Sequence, residues 1–134
     1  FELEDAEQAA LLKLCVNAIG GAMITGFGEA LALGQAGGIA VPKLVEVLQA
    51  SSFHSPLFLM KGERVERRDF TPRFSVSLAE KDQRLAQEAA ADLGAKAPVN
   101  EAVRQLFAAA AASGRADKDI AAVADLCLEW AGKK

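Results

Sequence analysis

Residues 5–36 constrain this chain more than any other stretch, because small and apolar side chains fall on every side of their helical wheel. That pattern describes a helix surrounded by others rather than one lying on a surface, so the segment is expected to be the central element. It holds five glycines, Gly20, Gly21, Gly26, Gly28 and Gly34, each worth about 1 kcal/mol less than alanine in a helix interior, and close backbone approach by neighbouring helices is the expected compensation. Gly37 and Gly38 end the helix. Two polar side chains four residues apart, Lys13 and Asn17, interrupt the apolar surface, and a helix turns both to the same side. Their ammonium and carboxamide converge on a spot that suits a carboxylate or a carbonyl oxygen.

The remaining landmarks are also helical. Pro42 fits the first turn of a helix over 43–50 with apolar residues at 44, 45, 47 and 48, and Ser55-Pro56 repeats the start signal for a short third helix. Residues 69–77 read as an extended connection, since Phe70, Pro72 and Phe74 are spaced by two and proline disfavours helix just before it. A fourth helix is expected over 78–93 with Leu78, Leu85, Ala89 and Leu93 as its apolar face, ending at Gly94. Pro98 opens a fifth, faced by Val99, Val103, Leu106 and Phe107 and continued by the alanine run 108–112 to Gly114. Asp117 or Asp119 can cap the last helix, which carries Ile120, Val123, Leu126, Cys127 and Trp130. No alternating strand run and no glycine-rich phosphate loop occurs.

At 134 residues, 51% of them hydrophobic, the chain suffices for one domain and is too short for two. It opens on Phe1 and an acidic run, which suggests a fragment or a processed form. A net charge of -3 offers no basic stripe for nucleic acid or anionic lipid. Arg64, Arg67 and Arg68 alternate with Glu63, Glu66 and Asp69 and read as a solvated face. Cys15 and Cys127 are expected to be buried reduced thiols, and His54, the single histidine, lacks the neighbours of a zinc site and reads as a loop residue. Glu29 is expected as a buried or interfacial hydrogen-bonding group. The longest uncharged stretch, 14–28, falls short of the roughly 18 residues of a membrane span.

Four motifs carry a resemblance. Lys13-Leu14-Cys15-Val16-Asn17, then Phe27-Gly28-Glu29-Ala30-Leu31-Ala32-Leu33, then Phe70-Thr71-Pro72-Arg73-Phe74, then Glu80-Lys81-Asp82-Gln83-Arg84-Leu85-Ala86 look like the carboxy-terminal domain of β-hydroxyacid dehydrogenases. This family includes 3-hydroxyisobutyrate dehydrogenase, tartronate semialdehyde reductase and glyoxylate/succinic semialdehyde reductase. Ala97-Pro98-Val99 and the stretch from Gly114 to Asp119 fit its later pattern. The resemblance implies an all-α, multi-helix bundle around the long first helix, like the carboxy-terminal domain of 6-phosphogluconate dehydrogenase, filling residues 1–134. It also implies an amino-terminal Rossmann domain, absent from this chain, that binds NAD or NADP.

By the same resemblance Lys13 is the catalytic lysine, which exchanges a proton with the substrate oxygen while hydride passes to or from the nicotinamide. An ammonium suits that work, since it polarises a carbonyl, stabilises the developing alkoxide and supplies the proton; apolar surroundings would bring its pKa towards working pH. Asn17 matches the substrate-binding asparagine, Phe74 and Asp82 match positions at the substrate pocket, and Lys81 matches a lysine near the cofactor. No residue is assigned to a metal. The implied partners are a small hydroxy acid or aldehyde acid and a second or further copy in a homodimer or homotetramer, in the cytoplasm. Glu7 stands where many members have glycine, and Val16-Asn17 replaces a common Asn-Asn, as in the glyoxylate/succinic semialdehyde reductases. Two other readings stay open: a non-catalytic helical dimerisation module, and an imine-reductase-like enzyme, against which Lys13 argues.

Overall fold

The computed structural model describes residues 5–132. Six α-helices follow one another: α1 Ala6–Ala36, α2 Val41–Ala50, α3 Pro56–Arg67, α4 Val76–Asp92, α5 Pro98–Ala110 and α6 Ala122–Trp130. A π-helical turn, Ala111–Arg115, continues α5. Among the described residues the sole β-type pairing is one bridge between Ser75 and Asp119.

Local chemistry sets the boundaries. Asp5 Oδ1 accepts from Gln8 N at 2.7 Å and opens α1, and Gly38 leaves it at φ 87°, where L side chains are disfavoured. Ser55 caps α3 with Pro56 at its first position. Ser75 Oγ accepts from Leu78 N, so α4 starts two residues before the expected position.

The core gathers around the carboxy-terminal half of α1. Ile24, Phe27 and Leu31 meet Val45, Val65, Val76, Val103, Phe107, Val123 and Leu126 from the five other helices. Each fully buried side chain of this size contributes about 1.5–3 kcal/mol relative to exposure. Phe27 stacks on Phe58 of α3 with ring centroids 5.2 Å apart. Gly28 brings α6 in close, for a Cβ there would stand 2.9 Å from Ala124 Cα. Close approach therefore explains Gly28, and likewise Gly21 and Gly34, but not Gly20 or Gly26, which face open space.

The amino-terminal half of α1 departs from expectation. It is exposed along most of its length, with Val16 at 60% and Ile19 at 63%, because α4 meets this half of the helix near its end, at Asn17. By length and composition alone α1 could cross a membrane, but its second half is the centre of the packed core.

Other faces also differ. On α4 the buried positions are Val76, Ala79 and Gln83, while Leu78 and Leu93 point outwards. On α5 Val99 is exposed, and on α6 Trp130 is exposed while residues 121–128 are buried all round. Cys15 is exposed, since it lies on the uncovered half of α1; Cys127 is buried as expected.

Candidate functional site

Asn17, Phe74 and Asp82, brought from three parts of the chain, line one cavity of about 200 Å³. α1 supplies Asn17 from the junction between its exposed and buried halves, and α4 supplies Asp82 from its second turn. The side chains touch: Asn17 Nδ2 donates to Asp82 Oδ2 at 3.0 Å. A carboxylate only accepts, so this contact fixes which end of the Asn17 amide faces α4. Ile24, Phe107 and Ile120 form the apolar floor. His54, outside this cluster, sits in the loop after α2 with Nδ1 3.0 Å from the Ser51 carbonyl oxygen.

Phe74 is placed by a buried ion pair that the sequence did not reveal. Lys61 Nζ donates to Asp119 Oδ1 at 2.8 Å, with both side chains at least nine-tenths buried. Asp119 Oδ2 accepts from the main-chain N–H groups of Arg73 and Phe74, at 3.1 and 3.4 Å, and Ile120 N donates to the Phe74 carbonyl at 3.0 Å. Asp119 Oδ1 also accepts from Ala121 N at 3.0 Å in the turn before α6, but the helix's N-cap is Ala121 and has no side-chain cap, so neither Asp117 nor Asp119 caps it as expected. Burial pushes its carboxyl upward, but the hydrogen bonds from Lys61, Ala121 and Arg73 prevail and hold it below the ordinary carboxylate value.

The arginine cluster is not simply a solvated face. Arg64 is mostly buried: Nε donates to the Asp69 carbonyl at 3.0 Å, Nη2 to the Thr71 carbonyl, and Nη1 stands 3.6 Å from Asp119 Oδ2. Arg68 donates to Asp125 at 2.9 Å, the carboxylate that also receives Arg115. These contacts clamp the connection between α3 and α4, and with it the segment that carries Phe74.

Lys13 and Lys81 do not line the cavity. Lys13 is exposed one helical turn before Asn17, about 6 Å along the axis of α1, and Lys81 is exposed on α4 beside Asp82. Neither has an ion-pair partner among the described residues. The apolar surroundings expected for Lys13 are therefore not supplied by these six helices. A larger groove of about 660 Å³ between α1 and α5 contains none of the candidate residues. Glu29, expected to be buried or interfacial, is exposed on its wall.

Gln83 is the cavity residue that was missed. It lies at the spacing 76, 79, 83 with two buried apolar residues, and that periodicity was the available signal.

A long central helix packed by five others, with a small polar-edged cavity where it emerges from the core, defines the class as the all-helical domain that the resemblance implied. Known proteins then supply the family: residues 8–127 match the one described as NAD-binding of NADP-dependent 3-hydroxyisobutyrate dehydrogenase, and the chain belongs to it. It is 31% identical over 123 residues to glyoxylate/succinic semialdehyde reductase 2, chloroplastic, of Arabidopsis thaliana, covering 92% of this chain and 34% of that protein. It is 29% identical over 123 residues to the cytokine-like nuclear factor N-PAC of Aedes aegypti, covering 92% of this chain and 22% of that one. The crystal structure of a 3-hydroxyisobutyrate dehydrogenase from Salmonella typhimurium superposes with a TM-score of 0.82 at 26% identity, over 86% of this chain and 40% of the other. The chain thus spans about a fifth to two fifths of the length of these relatives.

Proposed function

We propose that this chain is the helical part of an NAD(P)-dependent hydroxyacid dehydrogenase, interconverting a small 3-hydroxy or 2-hydroxy acid and its aldehyde or keto form. The observation that carries the reading is the convergence of Asn17, Phe74 and Asp82 on one cavity, with Lys13, which has no ion-pair partner among the described residues, one turn away. Lys13 acts as general acid in reduction: its Nζ donates a hydrogen bond to the carbonyl oxygen, stabilises the charge that develops there and releases a proton to it. In the reverse direction it takes the hydroxyl proton. Asn17, with one N–H given to Asp82, has its second N–H and its Oδ1 left to bind and orient the substrate. Phe74 closes the pocket's apolar side.

A nicotinamide, when bound, supplies or accepts the hydride. The chemistry of the chain fits such a group, since Lys81 and Lys13, both exposed and without an ion-pair partner among the described residues, offer two cations beside the cavity to an anionic substrate and an anionic cofactor. NAD and NADP are both compatible with these residues. An amino-terminal Rossmann domain would bind that cofactor and cover the exposed half of α1, giving Lys13 the apolar surroundings it lacks here. Apolar side chains exposed elsewhere, such as Leu33, Phe53 and Val99, support a homodimer or homotetramer. A cytoplasmic location belongs to the proposal, although the Arabidopsis relative is named as chloroplastic.

The test is the complete protein, assayed with glyoxylate and succinic semialdehyde while NADH or NADPH absorbance is followed. Turnover supports the reading, and a folded protein inert to both with either cofactor overturns it. The N-PAC relative is named as a nuclear factor and not as a dehydrogenase, and on that ground a second reading, a non-catalytic helical dimerisation module, is kept; it expects that inert result together with a stable oligomer.

A further inference from the structure

Asn17 is held twice from α4. Its side chain meets Asp82, and its main-chain oxygen accepts from Gln83 Nε2 at 2.9 Å. Gln83 is 1% exposed, at a position that an apolar side chain could fill without desolvating an amide. Its amide rests on the backbone of α1 because residue 21 has no side chain: a Cβ on Gly21 would stand 2.4 Å from Nε2 and 2.8 Å from Cδ. The main chain of Gln83 is fixed in turn, its carbonyl accepting from Asn100 Nδ2 of α5 at 2.9 Å. Gln83 Oε1 is buried without a hydrogen-bond partner among the described residues, a local penalty on the order of 1–3 kcal/mol. Packing alone is a poor account of a buried amide that leaves its own acceptor unsatisfied while spending its donor on the residue beside the cavity.

We propose that Gln83, seated on Gly21, is a positioning residue for the site. It pins the α1 main chain at Asn17 while Asp82 orients the carboxamide, so the two neighbours on α4 together hold Asn17 in one pose towards the substrate. The inference rests on the reading of Asn17 as the substrate anchor.

The complete protein with succinic semialdehyde, and whichever nicotinamide cofactor supports turnover, provides the test. Gln83→Met keeps the volume and removes the amide; it is expected to raise KM roughly tenfold while kcat changes far less. In an Asn17→Ala background the same substitution is expected to leave KM unchanged, because nothing remains to be positioned. Gly21→Ala leaves every polar group present but displaces the amide, and is expected to raise KM in the same direction. A purely structural role would instead lower Tm and leave KM alone. The proposal is overturned by an unaltered KM in Gln83→Met, or by an effect of equal size with and without Asn17. Should Gln83→Met fail to fold, Gly21→Ala decides alone, and an unaltered KM there overturns the proposal. If Asn17→Ala itself leaves KM unchanged, the anchor reading falls and takes this one with it, a result distinct from failure at Gln83.

Discussion

Lys13 and Asn17 sit one turn apart on α1, yet the fold treats them differently. Asn17 is gripped from α4 through both side chain and main chain, whereas Lys13 stands in solvent without a partner among the described residues. An anchor needs a fixed pose, and a proton donor needs its Nζ free to meet a ligand. In the complete protein Lys13→Ala is expected to lower kcat by about 10²–10⁴-fold with little change in Tm, the range of a lost general acid. Near-normal turnover would remove Lys13 from the mechanism. The cysteines give a second test at this scale. Burial, with Glu29 nearby, pushes the Cys127 thiol up to about 11, whereas Cys15 is exposed. In the 134-residue chain a thiol reagent is expected to modify Cys15 promptly and to leave Cys127 intact until unfolding; mass spectrometry of the labelled peptides checks it.

Among the elements, the connection from α3 to α4 owes its shape to Lys61, Arg64 and Asp119. Removing the carboxylate with Asp119→Ala leaves Lys61 buried and unpaired, and is expected to lower stability by about 3–5 kcal/mol in a denaturant titration. The pH dependence has a definite sign. Asp119 titrates below its ordinary value in the fold, so its contribution is present above an unfolded pKa of about 4 and is lost as pH falls through the lower folded value. Stability measured by denaturation should therefore decline on acidification below about pH 4, and the Asp119→Asn variant should show less of that decline.

Helix starts were legible because serine, aspartate and proline act locally, as at Ser55-Pro56. The buried faces were less so. On α4, leucine marked the expected face, but the cap at Ser75 and the glutamine on Gly21 put Val76, Ala79 and Gln83 inward. A polar side chain that is buried because another helix lacks a Cβ is marked in its own segment by its register with Val76 and Ala79 and not by its own hydropathy. Lys61 and Asp119 were hidden for another reason, since their pairing joins residues far apart in sequence and shows only once the chain is folded. Asn17, Phe74 and Asp82 were legible through family motifs rather than through periodicity, and the structure brings them to one cavity.

At the scale of the molecule, residues 8–127 make up a family domain, and its candidate site opens at the edge of what these helices enclose. No glycine-rich loop among these residues could cradle a pyrophosphate. The 134-residue chain alone is accordingly expected to oxidise no NAD(P)H with any aldehyde acid, and measurable turnover would overturn the two-domain reading. Light scattering of the complete protein is expected to report a dimer or tetramer; a monomer would count against the proposed contact.

The split along α1 also sets the helix's tolerance to mutation. Polar substitutions at Leu12, Val16 or Ile19 would barely disturb this domain by itself, since these side chains already face water, whereas the same changes at Ile24, Phe27 or Leu31 would open the core. In the complete protein, selection for function would forbid both sets. Comparing a mutational scan scored on folding of the domain with one scored on activity would trace, residue by residue along one helix, where self-sufficiency gives way to dependence on a neighbour.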